Sequence, residues 1–495
     1  MRRTDLLLLF SLVLAVLVLP ACAQAQDAPA DTTDWERNID PAEAWEKVAA
    51  ARDAASQNRH NEASADYLEA LANDARLVPL VANELAYQKL WREDAEKAVF
   101  YFRRYLARHP DQENREVRKA LALALSWNGQ QPEAVALYRQ LVEEDPTDGS
   151  ARVGLGRTLI WDNRLHDGFT VLRGVEDDYP ADDPAHREGS DFLLTVFDGY
   201  TPQLEGLFEA SWDSDDLDIY RVGANGAVTI FGNKLLQIMP RWSGYRMPTQ
   251  HDIDAWRMKL GFVSALNHRW AIHAYGWLDR FKSSAPLYGA EENLAWTRPG
   301  GDLWLTWLPA PRWRLDFGGS SDAVETFYAL ANRIHYEQAN ASVDYRLARR
   351  WKLNVSGEAA DYSDGNEKLK GTGRLTWRRE GRWEIHAGAV FTYMDFAIPY
   401  PGGYWAPDWV RNGSIEATVK TRLAAAWTFR LNGSIGLEKE LGSDSQTVGG
   451  ASLRVGWRFH PSWLAAAEGG YSKSSFATAS GYSRTFASLS LRAFF

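Results

Sequence analysis

The chain has 495 residues, which is too many for a single hydrophobic core, so we expect at least two domains. Its one cysteine, Cys22, excludes an internal disulfide, and loss of the first residues would also exclude cysteine-based metal or redox chemistry. The net charge of −10 is divided unevenly. Residues 26–200 hold 20 Lys and Arg against 34 Asp and Glu, whereas residues 201–495 hold 33 against 30. The first part is therefore acidic, which argues against nucleic acid as a partner.

The chain begins with the pattern of a secretory signal. Two arginines precede an apolar run over residues 6–18, which is too short to span a membrane as a helix. The Ala-Gln-Ala segment that follows suits cleavage, so we expect residues 1–25 to be a signal peptide and 26–40 a linker. Cys22 ends a near-match to a lipoprotein cleavage box in which the proline fits poorly, and its lipidation stays open.

Residues 41–198 are predicted to form a short solenoid of tetratricopeptide-like repeats. Small residues recur at spacings of 35, 36 and 34, and a large residue follows each of them four positions later. A small side chain lets two helices cross closely, the large one fills the adjacent groove, and a proline ends the second helix. The small residues are Ala63, Ala98, Ala134 and Gly168, the large ones are Tyr67, Phe102, Tyr138 and Leu172, and the prolines are Pro110, Pro146 and Pro180.

Four stacked units would form a concave surface that binds an extended ligand or a helix of a partner. Trp127 and Trp161 fall at the ends of the first helices of successive units. We expect both to pack between helices or repeats, although aromatic faces also serve as platforms for sugars. Nothing in this region indicates catalysis.

Residues 202–495 are predicted to form a 16-stranded antiparallel β-barrel of the outer-membrane type. In residues 485–495, apolar side chains alternate with serine and arginine, and similar alternation recurs in earlier segments. Seven short turns recur every 32 to 44 residues, an interval that two spanning strands, one turn and one longer loop would fill. Six of the turns precede a tryptophan. The turns are Gly232-Asn233, Asn267-His268, Pro309-Ala310-Pro311, Ala348-Arg349, Glu380-Gly381, Ala424-Ala425 and His460-Pro461.

The alternation separates a lipid-facing surface from a water-filled lumen. In one strand, Trp256, Met258 and Leu260 alternate with Arg257 and Lys259. A basic residue near the middle of the lipid face costs about 2–4 kcal/mol, so the basic set is expected to face the lumen. The candidate binding residues of this lumen are Tyr275, Trp277, Arg314, Arg350, Lys352, Glu358, Arg422, Arg430 and Arg454.

The longest loops are predicted over Lys282–Asn293, Ser320–Asn332 and Ala397–Asp408. The last of these contains Tyr404 and Trp405, which are the candidate gate residues over the mouth. Acidic residues stand near the basic ones in the lumen, so the pore is expected to pass a neutral or weakly cationic glycan. These acidic residues are Asp316, Glu358, Glu416 and Glu438.

The order of the two domains resembles that of the outer-membrane exporters of bacterial exopolysaccharides, such as those for cellulose and poly-N-acetylglucosamine, and the related YaiO-type barrels. Local similarity lies in Ser126-Trp127-Asn128-Gly129, Tyr362-Ser363-Asp364-Gly365-Asn366 and Gly403-Tyr404-Trp405-Ala406-Pro407. The four repeats are fewer than those of the cellulose exporter.

The resemblance implies a 16-stranded export pore in the outer membrane and a periplasmic repeat domain that guides polymer or recruits partners. The expected partners are the polysaccharide, outer-membrane lipid, periplasmic or inner-membrane synthase components, and the barrel-assembly machinery acting on Phe495.

Two other functions stay open. The barrel would serve only as an anchor if the repeats act as a scaffold for periplasmic protein assembly. An outer-membrane enzyme is a weaker alternative, because His460 and Ser462 have no orienting carboxylate near them in sequence. No metal-ligand spacing, phosphate loop or nucleotide fingerprint is present, so we expect no catalytic residues, no metal and no cofactor.

Overall fold

The structure is a computed structural model that describes residues 41–495 except 92–93, 111–113, 163, 231–233, 268, 289, 311, 349, 380–382, 401, 424–425 and 475–482. The predicted signal peptide, the linker and Cys22 lie outside the described residues. The chain forms two compact units, one helical and one built from strands.

The helical unit is a series of antiparallel helix pairs followed by one more helix. The second helices of the pairs carry the predicted small residues, and each of the three predicted prolines follows the end of such a helix. The elements are α1 Pro41–Ser56, α2 His60–Asn73, a 3₁₀ turn Ala75–Leu77, α3 Val78–Trp91, α4 Ala95–Arg108, α5 Arg115–Trp127, α6 Gln131–Glu144, α7 Gly149–Trp161, α8 Leu165–Asp178 and α9 Pro184–Tyr200. Among the described residues, no helix is both long enough and apolar enough to cross a lipid bilayer.

The repeat periodicity matches the packing of the helices. Ala63, Ala98 and Ala134 are fully buried, and so are the large residues that follow them by four positions. At Gly168 an added Cβ would overlap Ile160 and the carbonyl of Gly156, so the backbones of α7 and α8 approach closely there. The tetratricopeptide-like prediction is confirmed.

Two tryptophans that were expected to be buried between helices or repeats are partly exposed to solvent. Trp127 and Trp161 are each 40% exposed, although they end α5 and α7 as the repeat pattern indicates.

The second unit is a closed antiparallel barrel of 16 strands, as predicted. Each strand pairs with its sequence neighbours, and β1 pairs with β16 to close the sheet. The strands are β1 Gln203–Asp213, β2 Asp218–Ile230, β3 Lys234–Arg246, β4 Ile253–Ala265, β5 Trp270–Pro286, β6 Asn293–Trp307, β7 Trp313–Ala323, β8 His335–Ala348, β9 Trp351–Tyr362, β10 Glu367–Arg379, β11 Trp383–Phe396, β12 Trp409–Leu423, β13 Trp427–Glu440, β14 Gln446–His460, β15 Trp463–Lys473 and β16 Ser483–Phe494.

The even strand number places the start of β1 and the end of β16 at the same end of the barrel, which we call the turn end. The seven connections from an even-numbered strand to the next strand lie at this end, where the turns are predicted, and the longer connections lie at the opposite, loop end. The predicted turns Gly232-Asn233, Glu380-Gly381 and Ala424-Ala425 lie outside the described residues. The tryptophans after the turns form an outward aromatic belt. In it Trp270 stacks on Trp307 with ring centroids 5.4 Å apart, and Trp427 stacks on Trp457 at the same distance. Such belts mark the membrane–water interface of outer-membrane barrels.

The loop predictions are correct in one case and need correction in two. The connection after β11 covers residues 397–408 as predicted. The strand β5 continues to Pro286, so the loop predicted from Lys282 begins after that residue. Likewise β7 continues to Ala323, and its loop contains a short helix, α10 Phe327–Ala331, that the sequence pattern did not indicate.

Candidate functional site

The strand register defines which side chains face the lumen. Directly paired residues share a face, so the pairings Arg257↔Asp279, Asp316↔Ser342 and Arg430↔Arg454 extend one polar face around the barrel. The opposite face is apolar and exposed, as at Trp256 (63%) and Ile415 (65%). This arrangement has a polar interior and a lipid-compatible exterior, as expected for a barrel of the outer-membrane type.

Charged lumen residues of β7 to β10 form ion pairs within one strand or across neighbouring strands. Arg314 donates to Asp316 at 2.8 Å and Lys352 to Asp344 at 3.0 Å. Glu358 pairs with Lys368 and lies 4.0 Å from Lys370. These predicted lumen residues therefore stand on the wall beside opposite charges, and their polar groups are largely used by the protein itself.

The two predicted lumen aromatics face inward but are partly covered. The Lys259 Nζ lies 4.3 Å from the centroid of the Tyr275 ring and 4.7 Å from that of Trp277, and Arg257 lies 4.8 Å from the Trp277 centroid. Trp277 is only 7% exposed, because its ring also lies against Gly300 of the next strand. These contacts make Trp277 a part of the wall, while the half-buried Tyr275 donates to Gln237 at 3.0 Å.

Of the four remaining candidate binding residues, three lie on the lumen face of the barrel wall and one lies in a turn. Arg422, Arg430 and Arg454 lie on the lumen face of β12, β13 and β14. Arg350 does not line the lumen, because it lies in the tight turn between β8 and β9, where its carbonyl accepts the Arg378 N–H. A turn residue follows no strand alternation, so the assignment of Arg350 to the lumen is corrected.

A segment of the loop between β7 and β8 folds into the lumen at the loop end. We call residues 324–334 the plug. Its Phe327 and Leu330 belong to an apolar cluster with Tyr245, Ile253 and Phe281, which are lumen-facing residues of β3, β4 and β5. The plug is therefore held by inward apolar side chains of the wall.

The opposite side of the plug contacts a second wall. Ala329 belongs to an apolar cluster with Met394, Phe396 and Val410, lumen-facing residues of β11 and β12. Between β3 and β12 there are eight strands in one direction around the barrel and six in the other, so these walls face each other across the lumen. Helix α10 consequently lies between opposite walls and occupies the lumen at its loop end.

Charged groups join the plug to the wall. Glu325 accepts hydrogen bonds from Arg221 of β2 at 2.5 Å and from Arg241 of β3 at 3.2 Å. Burial alone would raise the pKa of Glu325, but the nearby arginines outweigh this and lower that pKa to about 2. Arg257 of β4 is directly opposite Arg241, and it donates hydrogen bonds to both Asp279 and Asp322, at 2.6 Å in each case.

The loop over residues 397–408 covers the plug, and we call it the cover loop. Thr326 of the plug donates its hydroxyl to the Gly403 carbonyl. Tyr404 stacks on Tyr362 with centroids 4.9 Å apart and donates to Asp364 at 3.0 Å, so it is 8% exposed. Burial, with the Asp364 carboxylate, raises the pKa of the Tyr404 hydroxyl. The other predicted gate residue, Trp405, is half-buried beside this cluster.

Sequence reasoning missed the plug, although signals for it were present. The inward positions of a water-filled lumen are expected to be polar, yet Ile253, Phe281 and Val410 are inward and apolar. Their position near the loop end indicates that something apolar covers them. Thr326 is also a suitable N-cap, and its hydroxyl accepts the Ala329 N–H. In the described part of the chain, no group of three or more His, Cys, Asp or Glu is arranged to hold a metal ion.

No protein-family model and no curated protein matches the chain. Among solved structures, a "bacterial polysaccharide outer membrane secretin" matches with a TM-score of 0.46 and 11% identity over 60% of this chain and 98% of that one. A "CymD monoaromatic hydrocarbon channel" matches with a TM-score of 0.34 and 11% identity over 61% of this chain and 90% of that one. The tetratricopeptide protein YrrB matches with a TM-score of 0.25 and 20% identity over 30% of this chain and 76% of that one. The helix packing and the strand pairing described above show tetratricopeptide-like repeats followed by a closed 16-stranded barrel of the outer-membrane type.

Proposed function

We propose that the protein is a gated outer-membrane channel that exports an exopolysaccharide, and that it has no catalytic activity. The observation that carries the proposal is the wide, charge-lined lumen that is occupied at one end by a segment held through reversible contacts. A barrel of 16 strands leaves room for an aqueous channel. Hydrogen bonds, ion pairs and two apolar clusters hold the plug, and all of these contacts break without covalent chemistry.

The polar groups of the lumen support passage of a glycan rather than of a hydrophobic compound. Serine, threonine and asparagine alternate with charged residues on the inward faces, for example at Thr418, Asn432 and Ser452, which form a hydrogen-bonded row across β12 to β14. Such groups exchange hydrogen bonds with sugar hydroxyls at little net cost. Export then requires displacement of the plug from the loop end.

In this proposal the helical repeats lie in the periplasm and recruit the synthase or guide its product. Their acidic residues support a protein partner with a basic surface. Several carboxylates are already paired within the domain, since Glu84 accepts from Arg52 at 2.8 Å and Asp148 from Arg115 at 3.1 Å. The outer membrane would be reached through the barrel-assembly machinery, for which the 77% exposed Phe495 is the proposed signal.

A second function is favoured by one specific observation, which is the occupied loop end of the lumen. A barrel that only anchors a periplasmic scaffold has no need to open. The repeats would then carry the whole function by assembling other proteins.

Liposome swelling separates the two functions. Full-length protein is reconstituted and challenged with a neutral oligosaccharide, in the native form and with residues 399–407 replaced by a short Gly-Ser linker. An export channel predicts slow swelling for the native protein and much faster swelling for the variant. If even a variant that also carries Glu325→Ala admits no oligosaccharide, the barrel is an anchor and the proposal fails.

A further inference from the structure

Three basic residues stand side by side on the lumen face near the turn end. Lys420 of β12 pairs directly with Arg430 of β13, which pairs directly with Arg454 of β14. We call these three the basic row. Arg422 lies on the same face, two residues further along β12 from Lys420. All four belong to the half of the barrel near the turn end, away from the plug.

The basic row is costly for the fold. Like charges directly opposite each other on neighbouring strands are destabilising. The outer members have partial compensation, because Lys420 donates to Glu384 at 3.4 Å and Arg454 to Glu468 at 3.3 Å. Among the described residues, no carboxylate lies within ion-pair distance of Arg430 or Arg422. The centre of the row therefore carries positive charge that the wall does not neutralise.

The same barrel shows how such a juxtaposition is otherwise neutralised. Arg241 and Arg257 are also directly opposite each other, on β3 and β4. There the chain supplies Glu325 to the first, at 3.2 Å, and both Asp279 and Asp322 to the second, at 2.6 Å. The wall thus neutralises the paired arginines Arg241 and Arg257 with carboxylates, whereas no carboxylate of the described part of the chain does so for Arg430.

The basic row is accessible from the lumen. Arg430 and Arg422 are exposed, and the side chains of Lys420 and Arg454 are 33% and 40% exposed. Their register places this exposure inside the barrel rather than toward lipid. A guanidinium with free donors recognises carboxylate and phosphate groups through paired, charge-assisted hydrogen bonds.

We propose that the basic row and Arg422 form a lumen subsite for the anionic groups of an acidic polysaccharide, with sugar carboxylates as the ligand chemistry. This inference rests on the proposed export function and specifies its substrate class. It differs from the neutral or weakly cationic glycan predicted from charge counts. Such counts average the charge-paired wall of β4 to β10 with the wall of β12 to β14, where Arg422 and Arg430 have no carboxylate within ion-pair distance among the described residues. The acidic repeats would repel this polymer, which leaves them to protein partners.

Calorimetric titration of the purified full-length protein in detergent provides the test. The probes are a short oligogalacturonate, a cello-oligosaccharide of equal length and inorganic phosphate. The subsite predicts preferential binding of the oligogalacturonate. Its affinity should fall about tenfold or more in Arg430→Gln, since charge-assisted hydrogen bonds are lost. Arg422→Gln should weaken binding in the same direction.

Arg492→Gln is the matched control, because it removes an equal charge from the lumen face near the turn end, where Arg492 is already paired with Glu205 at 2.9 Å. Binding should change little in this variant. Thermal stability gives a second readout: removal of the like-charge repulsion should leave the stability of Arg430→Gln unchanged or raised, whereas a bracing role would lower it. Correct folding is checked by heat-modifiable gel mobility.

Several results would overturn the inference. These are equal affinity for the charged and neutral oligosaccharides, phosphate binding as tight as that of the oligogalacturonate, or equal losses in Arg430→Gln and Arg492→Gln. If liposomes still admit neutral oligosaccharide in that case, only the subsite fails and the export function stands. If no variant admits any oligosaccharide, the export function itself fails.

Discussion

Arg221 donates a hydrogen bond to Glu325 at 2.5 Å, although 104 residues separate them. The contact joins a wall strand to the plug, and Arg241 adds a second donor to the same carboxylate at 3.2 Å. The plug therefore has an electrostatic attachment on one wall in addition to its apolar contacts with two walls. Opening of the lumen requires both to be broken.

Glu325→Gln should loosen the plug. The substitution keeps the shape of the side chain but removes the charge that two arginines share, and a hydrogen bond to a charged group contributes about 1.5–3 kcal/mol. We expect the open probability in planar bilayers to rise by about tenfold or more. The matched control is Asp344→Asn, which breaks the pair with Lys352 on the wall, away from the plug. An effect of equal size in the control would assign the change to general loss of lumen charge.

The same carboxylate predicts how the channel responds to pH. The folded pKa of Glu325 is lowered from 4.5 to about 2. A lowered pKa stabilises the attached state fully above the ordinary value, and this stabilisation decreases as the pH falls and is lost below about 2. Conductance should thus be constant between pH 7 and 5 and increase in more acidic solution. Glu325→Gln should remove this component of the response, and a native-like acid response in that variant would contradict the assignment.

Gly403 tests the contact between the cover loop and the plug. It has a φ of +95°, and an added Cβ would overlap the ring of Tyr328. Gly402 has a φ of +94°, yet nothing lies within 4 Å of an added Cβ. Both alanine variants pay the same backbone strain, but only Gly403→Ala must also displace the plug. We expect higher conductance from Gly403→Ala than from Gly402→Ala, and equal conductance would mean that the loop does not hold the plug.

The barrel was predictable from sequence because lipid and water impose opposite polarities on alternate residues. For example, Trp256 is apolar and faces lipid, whereas its neighbour Arg257 is charged and faces the lumen. The plug was not predictable in this way, because Ile253 and Val410 are apolar on the inward face and their cover comes from a loop distant in sequence.

Other parts of the site depend on distances in space. The register that brings Lys420, Arg430 and Arg454 together follows from strand pairing, and the absence of a described carboxylate beside Arg430 becomes visible only after folding. Strand alternation does not extend to Arg350, because this residue lies in a turn. The 40% exposure of Trp127 is likewise not specified by the repeat period.

Ile435 and Ser434 test the assignment of the lipid-facing surface at the middle of β13. Ile435 is 64% exposed on the outward face, whereas Ser434 pairs with Glu416 on the lumen face. Arginine at the midplane of the lipid face costs about 2–4 kcal/mol, but arginine in a wet lumen keeps its hydration. Ile435→Arg should therefore lower the free energy of unfolding in lipid vesicles, measured by urea titration and heat-modifiable gel mobility, while Ser434→Arg should fold normally beside Glu416. Equal losses in the two variants would mean that these neighbouring positions do not face different solvents, and the assignment of the two faces would be wrong.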